Sequence, residues 1–181
     1  MGIVVTIGGP HGTGKSTYAR IIAKEFGIRY VSAGQLFRDL AREKDIPLEE
    51  LGKRAAEEPD IDHLIDQRSA EEAKKGNVVV EGQLAAWMAK DIAQVRIYLN
   101  APDEVRFARI ARRDHVDYET AKRQTKDRER IQRDRYKRYY GIDIDDLSLY
   151  NLILDTGKRS VEEASSELIS RIHGMLRMRK T

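Results

Sequence analysis

The sequence of 181 residues contains no cysteine, one tryptophan, three phenylalanines and four prolines. Without cysteine there is neither a disulfide framework nor a thiolate metal site. No apolar run approaches the roughly 20 residues of a membrane-spanning helix, so a soluble, cytoplasmic protein with no membrane partner is expected. Repeats, low-complexity tracts and linker-like stretches are also missing. A chain of this length is therefore expected to form one domain around one core. What the sequence has in abundance is charge, at 35% of residues, a bias shared with proteins of hot environments. The formal net charge is only +3, but residues 106–140 hold thirteen Lys/Arg against six Asp/Glu, so the positive charge is focused.

The most informative stretch is Gly9-Pro10-His11-Gly12-Thr13-Gly14-Lys15-Ser16, which fits the phosphate-loop pattern G-x-x-x-x-G-K-[ST]. Its surroundings fit as well. Ile3-Val4-Val5-Thr6-Ile7 reads as a buried parallel strand ended by Gly8-Gly9, and Tyr18, Ile21, Ile22 and Phe26 recur at helical spacing until Gly27. The N-terminal residues also match a myristoylation pattern, but a central strand is the better use of them. In such a loop Gly9, Gly12 and Gly14 let the backbone approach phosphate oxygens. Lys15 reaches the β- and γ-phosphates, the Ser16 hydroxyl can ligate Mg²⁺, and Thr17 touches the α-phosphate. Gly8, Pro10 and Thr13 complete the cradle. His11 is read as an exposed spacer near the γ-phosphate. ATP and Mg²⁺ are the expected cofactors.

Further along, Ile28-Arg29-Tyr30-Val31 is a second strand, followed by a helix carrying Leu36, Phe37 and Leu40 on one face and Arg38 on another. Pro47 and Pro59 each open a new helix. The second of these places Ile61, Leu64 and Ile65 toward a core and Asp62, Asp66 and Arg68 elsewhere. Three successive helices without a strand make an insertion, about residues 33–75. Strands follow at Val78-Val79-Val80-Glu81, at Val95-Arg96-Ile97-Tyr98-Leu99 and at Leu152-Ile153-Leu154-Asp155. The carboxylate of Glu81 arrives at the C-terminal sheet edge where ligands of parallel sheets collect. Residues 118–140 are helical in propensity but polar almost all round, which predicts a helix reaching over solvent or ligand rather than packing into the core. Ser160 with Glu163 forms a capping box for the last helix.

Two stretches single out a superfamily. Ser32-Ala33-Gly34-Gln35-Leu36-Phe37-Arg38 resembles the segment that nucleoside monophosphate kinases place after their second strand. Glu81-Gly82-Gln83-Leu84 resembles their acidic-glycine turn. With a long basic stretch ending in Tyr139-Tyr140-Gly141, nearly the whole chain is similar to the archaeal-type cytidylate kinases. That resemblance implies an α/β fold with a five-stranded parallel sheet and helices on both faces, a helical acceptor-binding insertion, and a lid within residues 112–140. It implies transfer of a phosphoryl group from ATP to CMP, and to dCMP, by a monomer.

The resemblance also assigns roles. Arg38, with Ser32 and Gly34, would hold the acceptor phosphate, and Glu81, Gly82 and Gln83 would stand beside it. Glu81 would orient Mg²⁺-bound water or cap its turn. Arg128, Arg130, Arg133 and Arg135 are lid candidates for transition-state charge, joining Lys15 as catalytic residues. Thr156-Gly157-Lys158 would wall the adenine pocket, and Asp62, Asp66 and Arg68 could read the acceptor base. Two features depart from related enzymes: Ser32-Ala33-Gly34 stands where bacterial cytidylate kinases have Asp-Ser-Gly and is nearer to adenylate kinases, and Gln83 stands where related kinases place an arginine. An AMP-specific enzyme fits the Ser32-to-Arg38 turn equally well. A nucleotide-switched nucleic-acid binder is a further alternative for the basic segment. In the basic segment, however, Asp127, Glu129 and Asp134 are interleaved and nucleic-acid partners are not expected. A guanine-reading Asn/Thr-Lys-x-Asp motif does not occur.

Overall fold

A computed structural model describes residues 2–178. In chain order the elements are β1 (Val4–Gly8), α1 (Lys15–Glu25), β2 (Arg29–Ser32), α2 (Ala33–Glu43), α3 (Leu48–Glu57), α4 (Pro59–Lys74) and β3 (Val78–Glu81). There follow α5 (Ala85–Met88), β4 (Val95–Asn100), α6 (Asp103–Asp114), α7 (Tyr118–Tyr140), β5 (Leu152–Asp155) and α8 (Val161–Met178). The strands form one parallel sheet in the order β2-β3-β1-β4-β5. All five residues of the central β1 are buried, as a β-branched run between two helical layers requires.

Neighbouring strands β1 and β3 pair with Ile7 opposite Glu81, yet the chain leaves them toward opposite sides of the sheet. Beyond their C-terminal ends that reversal opens a crevice, the usual ligand position in such sheets. One face of the sheet packs Val5, Ile7, Ile97 and Leu99 against Ile22 of α1 and Leu168 and Ile172 of α8. Each fully buried side chain of this kind contributes about 1.5–3 kcal/mol, so this face anchors the loop that follows β1. The other face uses small residues, with Val4, Val78 and Val80 against Ala73, Ala85 and Ala89. Four-residue α5 carries no period that a sequence could display.

Helices α2, α3 and α4 share a separate apolar cluster of Leu40, Ala41, Leu51, Ala55, Ile61 and Ile65. Pro59 is the first residue of α4, whereas Pro47 stands one position before α3 as its N-cap. The capping box of α8 forms, with Glu163 N donating to Ser160 Oγ at 3.1 Å and Ser160 N donating to Glu163 Oε2 at 2.8 Å. Residues 112–114 belong to α6, so the basic helix α7 begins only at Tyr118 and stops at left-handed Gly141. Nor does α7 simply run over solvent. Arg135 and Tyr136 are buried, and its last turn is fastened by Tyr139 OH to Ala56 O at 2.8 Å and Tyr140 OH to Asp66 Oδ2 at 2.5 Å. These contacts are polar, which is why a search for an apolar stripe misses them. No helix among the described residues is long and apolar enough to cross a membrane.

Candidate active site

The loop after β1 turns where only glycine fits. Gly9 has φ 130°, and a Cβ there would lie 2.1 Å from the carbonyl oxygen of Leu99; at Gly12, φ 81°, it would lie 2.6 Å from that of Arg106. No side chain caps α1, whose first N–H groups therefore remain turned toward the loop. Thr13 Oγ1 donates to Pro10 O at 2.9 Å. Below the loop, the Thr156 hydroxyl lies 3.0 Å from Thr13 O and receives Arg109 Nη1 at 3.0 Å. Expected in the wall of an adenine pocket, Thr156 is instead fully buried and braces the phosphate loop against the sheet; Lys158 is exposed. Thr17 is exposed on the first turn of α1.

Lys15 is buried, and its ammonium donates to Gly9 O at 2.7 Å and Pro10 O at 2.8 Å. Burial lowers its pKa to about 8, against the pull of the Glu81 and Glu129 carboxylates. It remains a cation at neutral pH. The Ser16 hydroxyl donates to Glu81 Oε2 at 3.2 Å, and Tyr30 OH donates to the same oxygen at 3.1 Å. Strand register delivers that carboxylate, since Glu81 stands opposite both Ile7 and Ser32. Ser32 caps α2 by accepting from Gln35 N at 3.3 Å, Gly34 is exposed, and buried Gly82 donates its N–H to Ile7 O at 3.0 Å.

His11 is not an exposed spacer. Its ring is folded under α7, 2.8 Å from Gln132 Oε1 and 3.1 Å from Gln83 Nε2, while its backbone N–H donates to Glu129 Oε1 at 2.9 Å. Burial first, and the cations Lys15 and Arg128 after it, lower the ring's pKa to about 3, so it is neutral. Buried Arg106 completes the knot by donating to His11 O and to Glu129 Oε1, both at 2.7 Å.

The four expected lid arginines separate. Arg133 pairs with Asp145 at 3.1 Å, exposed Arg130 lies 3.9 Å from Asp127, and buried Arg135 meets buried Asp62 at 2.6 Å. Arg128 has no hydrogen bond or ion pair among the described residues. The residue is exposed, although nearby chain partly desolvates its guanidinium. That desolvation lowers its pKa, as do Arg113, Arg135 and Arg38. The same group acts electrostatically on Lys15 and His11. Arg38, on α2, is exposed and bonds only Gln35 Oε1, at 2.9 and 3.2 Å. Arg128 is thus within electrostatic range of Lys15 and His11 on the phosphate loop and of Arg38 on α2. Lys15, Arg128 and Arg38 outnumber the nearby carboxylates of Glu81 and Glu129, the latter already bonded to Arg106, and such an excess of cations suits an anion.

Asp62 and Asp66 do share one face of α4, but it is the face turned to α7, and Asp62 is buried rather than solvated. Arg68 is not brought to them; it forks onto Glu43 of α2 at 3.1 and 3.2 Å. Burial pushes Asp66 up to about 6, with Asp62 adding and Tyr140, His63 and Arg135 opposing. Between its ordinary value of 3.8 and about 6 the folded chain holds a proton that the unfolded chain has released. Stability from this group is therefore complete below the lower value and lost as pH rises through the upper one. Asp66→Asn is expected to gain in unfolding midpoint over the parent chain from about pH 4 to about pH 8. A pH-independent difference would contradict the assignment.

Comparison with known proteins sharpens the chemistry. The model of the cytidylate kinase-like family matches residues 4–158. The chain belongs to that family. It is 50% identical over 161 residues to a cytidylate kinase of Staphylothermus marinus, covering 89% of this chain and 91% of that protein. To one of Methanopyrus kandleri it is 44% identical, covering 96% and 95%. Among solved structures, a shikimate kinase from Bacteroides thetaiotaomicron superposes with a TM-score of 0.66 at 13% identity, covering 97% of this chain and 98% of the other. A gluconokinase from Sinorhizobium meliloti gives 0.60 at 16%, covering 98% and 93%. The α/β kinase fold is common to all of these, and the chain is a phosphotransferase of the kinase class. Sequence reading missed Arg106, Arg109, Glu129, Gln132 and Tyr30. Only the arginine-rich side of α6 offered a signal for any of them.

Proposed function

We propose that this chain is a nucleoside monophosphate kinase that transfers the γ-phosphoryl group of ATP to CMP, and to dCMP, giving the diphosphate and ADP. Arg128, a cation without a carboxylate partner that acts electrostatically on Lys15 and is itself acted on by Arg38, supports this reading. An in-line transfer between two anions needs a cation on the donor, one on the acceptor and one between them. The acceptor attacks through a phosphate oxygen that is already an anion, so no general base is required, and neutral His11 is not recruited as one.

Lys15 and the loop N–H groups hold the β- and γ-phosphates, Arg38 grips the acceptor phosphate, and Arg128 faces the charge that spreads over the transferring group. As the acceptor oxygen bonds to the γ-phosphorus, the bond to the β–γ bridging oxygen breaks and ADP leaves with its electron pair. Among the described residues no group of three or more His, Asp or Glu could hold a metal alone. A hydroxyl and a carboxylate at Ser16 and Glu81 instead suit Mg²⁺, which takes few protein oxygens and keeps its remaining positions for phosphate and water. Bound there, the ion would neutralise phosphate charge. Glu81 fixes the Ser16 hydroxyl and can accept from the ion's water.

Asp62 and Asp66 are the residues of the acceptor side suited to a base amino group, while Arg68 is left to its surface pair. Helices α2 to α4 form the acceptor-binding part and α7 the lid. The basic segment is poorly suited to nucleic acid, because Arg133 and Arg135 are committed to carboxylates and Arg138 to Ala56 O. The deciding experiment is steady-state kcat/KM on CMP, dCMP, UMP and AMP. CMP is expected first, by about 10³ over AMP if the base is read by buried polar groups, and AMP in first place would overturn the acceptor assignment. Asp66→Asn should shift the CMP-to-AMP ratio by about tenfold, and Arg68→Ala should leave it within about threefold.

A further inference from the structure

The kinase reading uses His11 for nothing, yet no other side chain of the loop makes contacts of such reach in sequence. Its ring touches Gln83, in the turn after β3, and Gln132 of α7, and its N–H reaches Glu129 one turn earlier on the same helix. Gln83 Nε2 donates to Gln132 Oε1 at 3.0 Å, closing a three-residue polar cluster. With the ring proton on Nε2, His11 donates to the same Gln132 oxygen, and Gln83 then joins the cluster through its bond to Gln132 rather than through the ring. Arg106 then pins the remaining partner, bonding Glu129 and the His11 carbonyl together.

Glu129 and Gln132 are spaced i, i+3, so both lie on the side of α7 that faces the loop. Arg128 is the residue just before Glu129. Whatever seats Glu129 therefore also seats the stretch of α7 backbone that carries Arg128. Gln83 is also where related kinases were expected to place an arginine. A neutral amide there leaves the centre of the cluster to hydrogen bonding rather than to charge.

We propose that His11 is a positioning residue for phosphoryl transfer: with Gln83, Gln132 and Glu129 it latches helix α7 to the phosphate loop and so seats Arg128, the neighbour of Glu129, for its part in the transfer. This rests on the kinase reading, and it assigns the His11 side chain to the lid helix rather than to a nucleotide. A latch that holds the lid also excludes water from the γ-phosphate, so loosening it should divert ATP to hydrolysis.

The test compares His11→Phe, which keeps the ring's bulk without its polar atoms, with His11→Gln, whose amide places a donor near the ring Nε2 position. Gln132→Leu breaks the same contact from the lid side. Acceptor-dependent ADP formation, acceptor-free ATP hydrolysis and amide exchange of residues 118–140 are measured on the full chain, with unfolding midpoints alongside. His11→Phe and Gln132→Leu should lower kcat for transfer by about tenfold with KM for ATP within about threefold, raise the hydrolysed fraction, and speed exchange in α7. His11→Gln should restore all three. Equal damage from Phe and Gln would assign His11 to packing. A rise in KM for ATP at unchanged kcat would make it a nucleotide ligand. Either result overturns the proposal, as does unaltered exchange in α7. Should the parent chain show no acceptor-dependent transfer while the exchange pattern appears, the kinase reading fails and the latch stands.

Discussion

Lys15→Met is expected to lower kcat for transfer by about a thousandfold or more while the chain still folds with nearly its parent unfolding midpoint. The large term is chemical. Lys15 supplies a buried cation at the phosphates, and in a site shielded from water such a group stabilises developing charge far more than it would in solution. Its hydrogen bonds to Gly9 O and Pro10 O hold the ammonium at the mouth of the loop rather than out in solvent. Stability moves little because the terms oppose one another. Methionine fills the stem's volume and abolishes the cost of burying the charge, while two hydrogen bonds are lost. The depressed pKa of about 8 gives a second signature. Between about 8 and its ordinary 10.5 the unfolded chain binds the proton that the folded chain has released, so parent stability should rise with pH through that window. In the variant that rise should be absent. Retained activity within about tenfold, roughly 1.4 kcal/mol of barrier, would contradict the role.

The sheet and the loop were legible because their signals are local. β-Branched runs at residues 3–7, 78–80 and 95–99, the glycines of the phosphate loop and the prolines at 47 and 59 each act within a few residues of themselves. Three helices in succession likewise announced a separate cluster, which the structure builds around Leu51 and Ala55. What escaped depends on partners far away in sequence. Asp62 reads as a solvated helix position until Arg135, 73 residues later, closes over it. His11 reads as a spacer until Gln132 and Glu129 arrive from α7. Polar pairing across the cleft has no period, so neither a strand nor a helix template registers it, and four arginines of α7 looked equivalent when only one is left without a carboxylate or amide partner. Arg106 shows the same limit. It lies on a charged helix face by pattern, yet it is buried because His11 O, Glu129 and Asp103 together satisfy its guanidinium.

That inequality among the arginines yields the last prediction. Arg128→Ala is expected to reduce kcat by about 10³, in the range that supplied arginines contribute to phosphoryl transfer, with KM for ATP and acceptor changed by less than about tenfold. Arg130→Ala, two residues along the same helix and with only a 3.9 Å contact to Asp127, is expected to stay within about threefold. The comparison separates a positioned cation from a merely basic helix, since both variants remove one charge and both lie on α7. Arg135→Ala should differ from either. It strands buried Asp62 without its cation, so its loss should appear first as a lowered unfolding midpoint. If Arg130→Ala and Arg128→Ala fell together, the charge of the helix as a whole, and not the place of one guanidinium, would be what the reaction uses. Arg128→Lys discriminates further. An ammonium keeps the charge but not the planar fork, so recovery by more than about tenfold over alanine would mean that field strength dominates geometry at this position. Recovery of less than that is expected, because the group must face several phosphoryl oxygens at once.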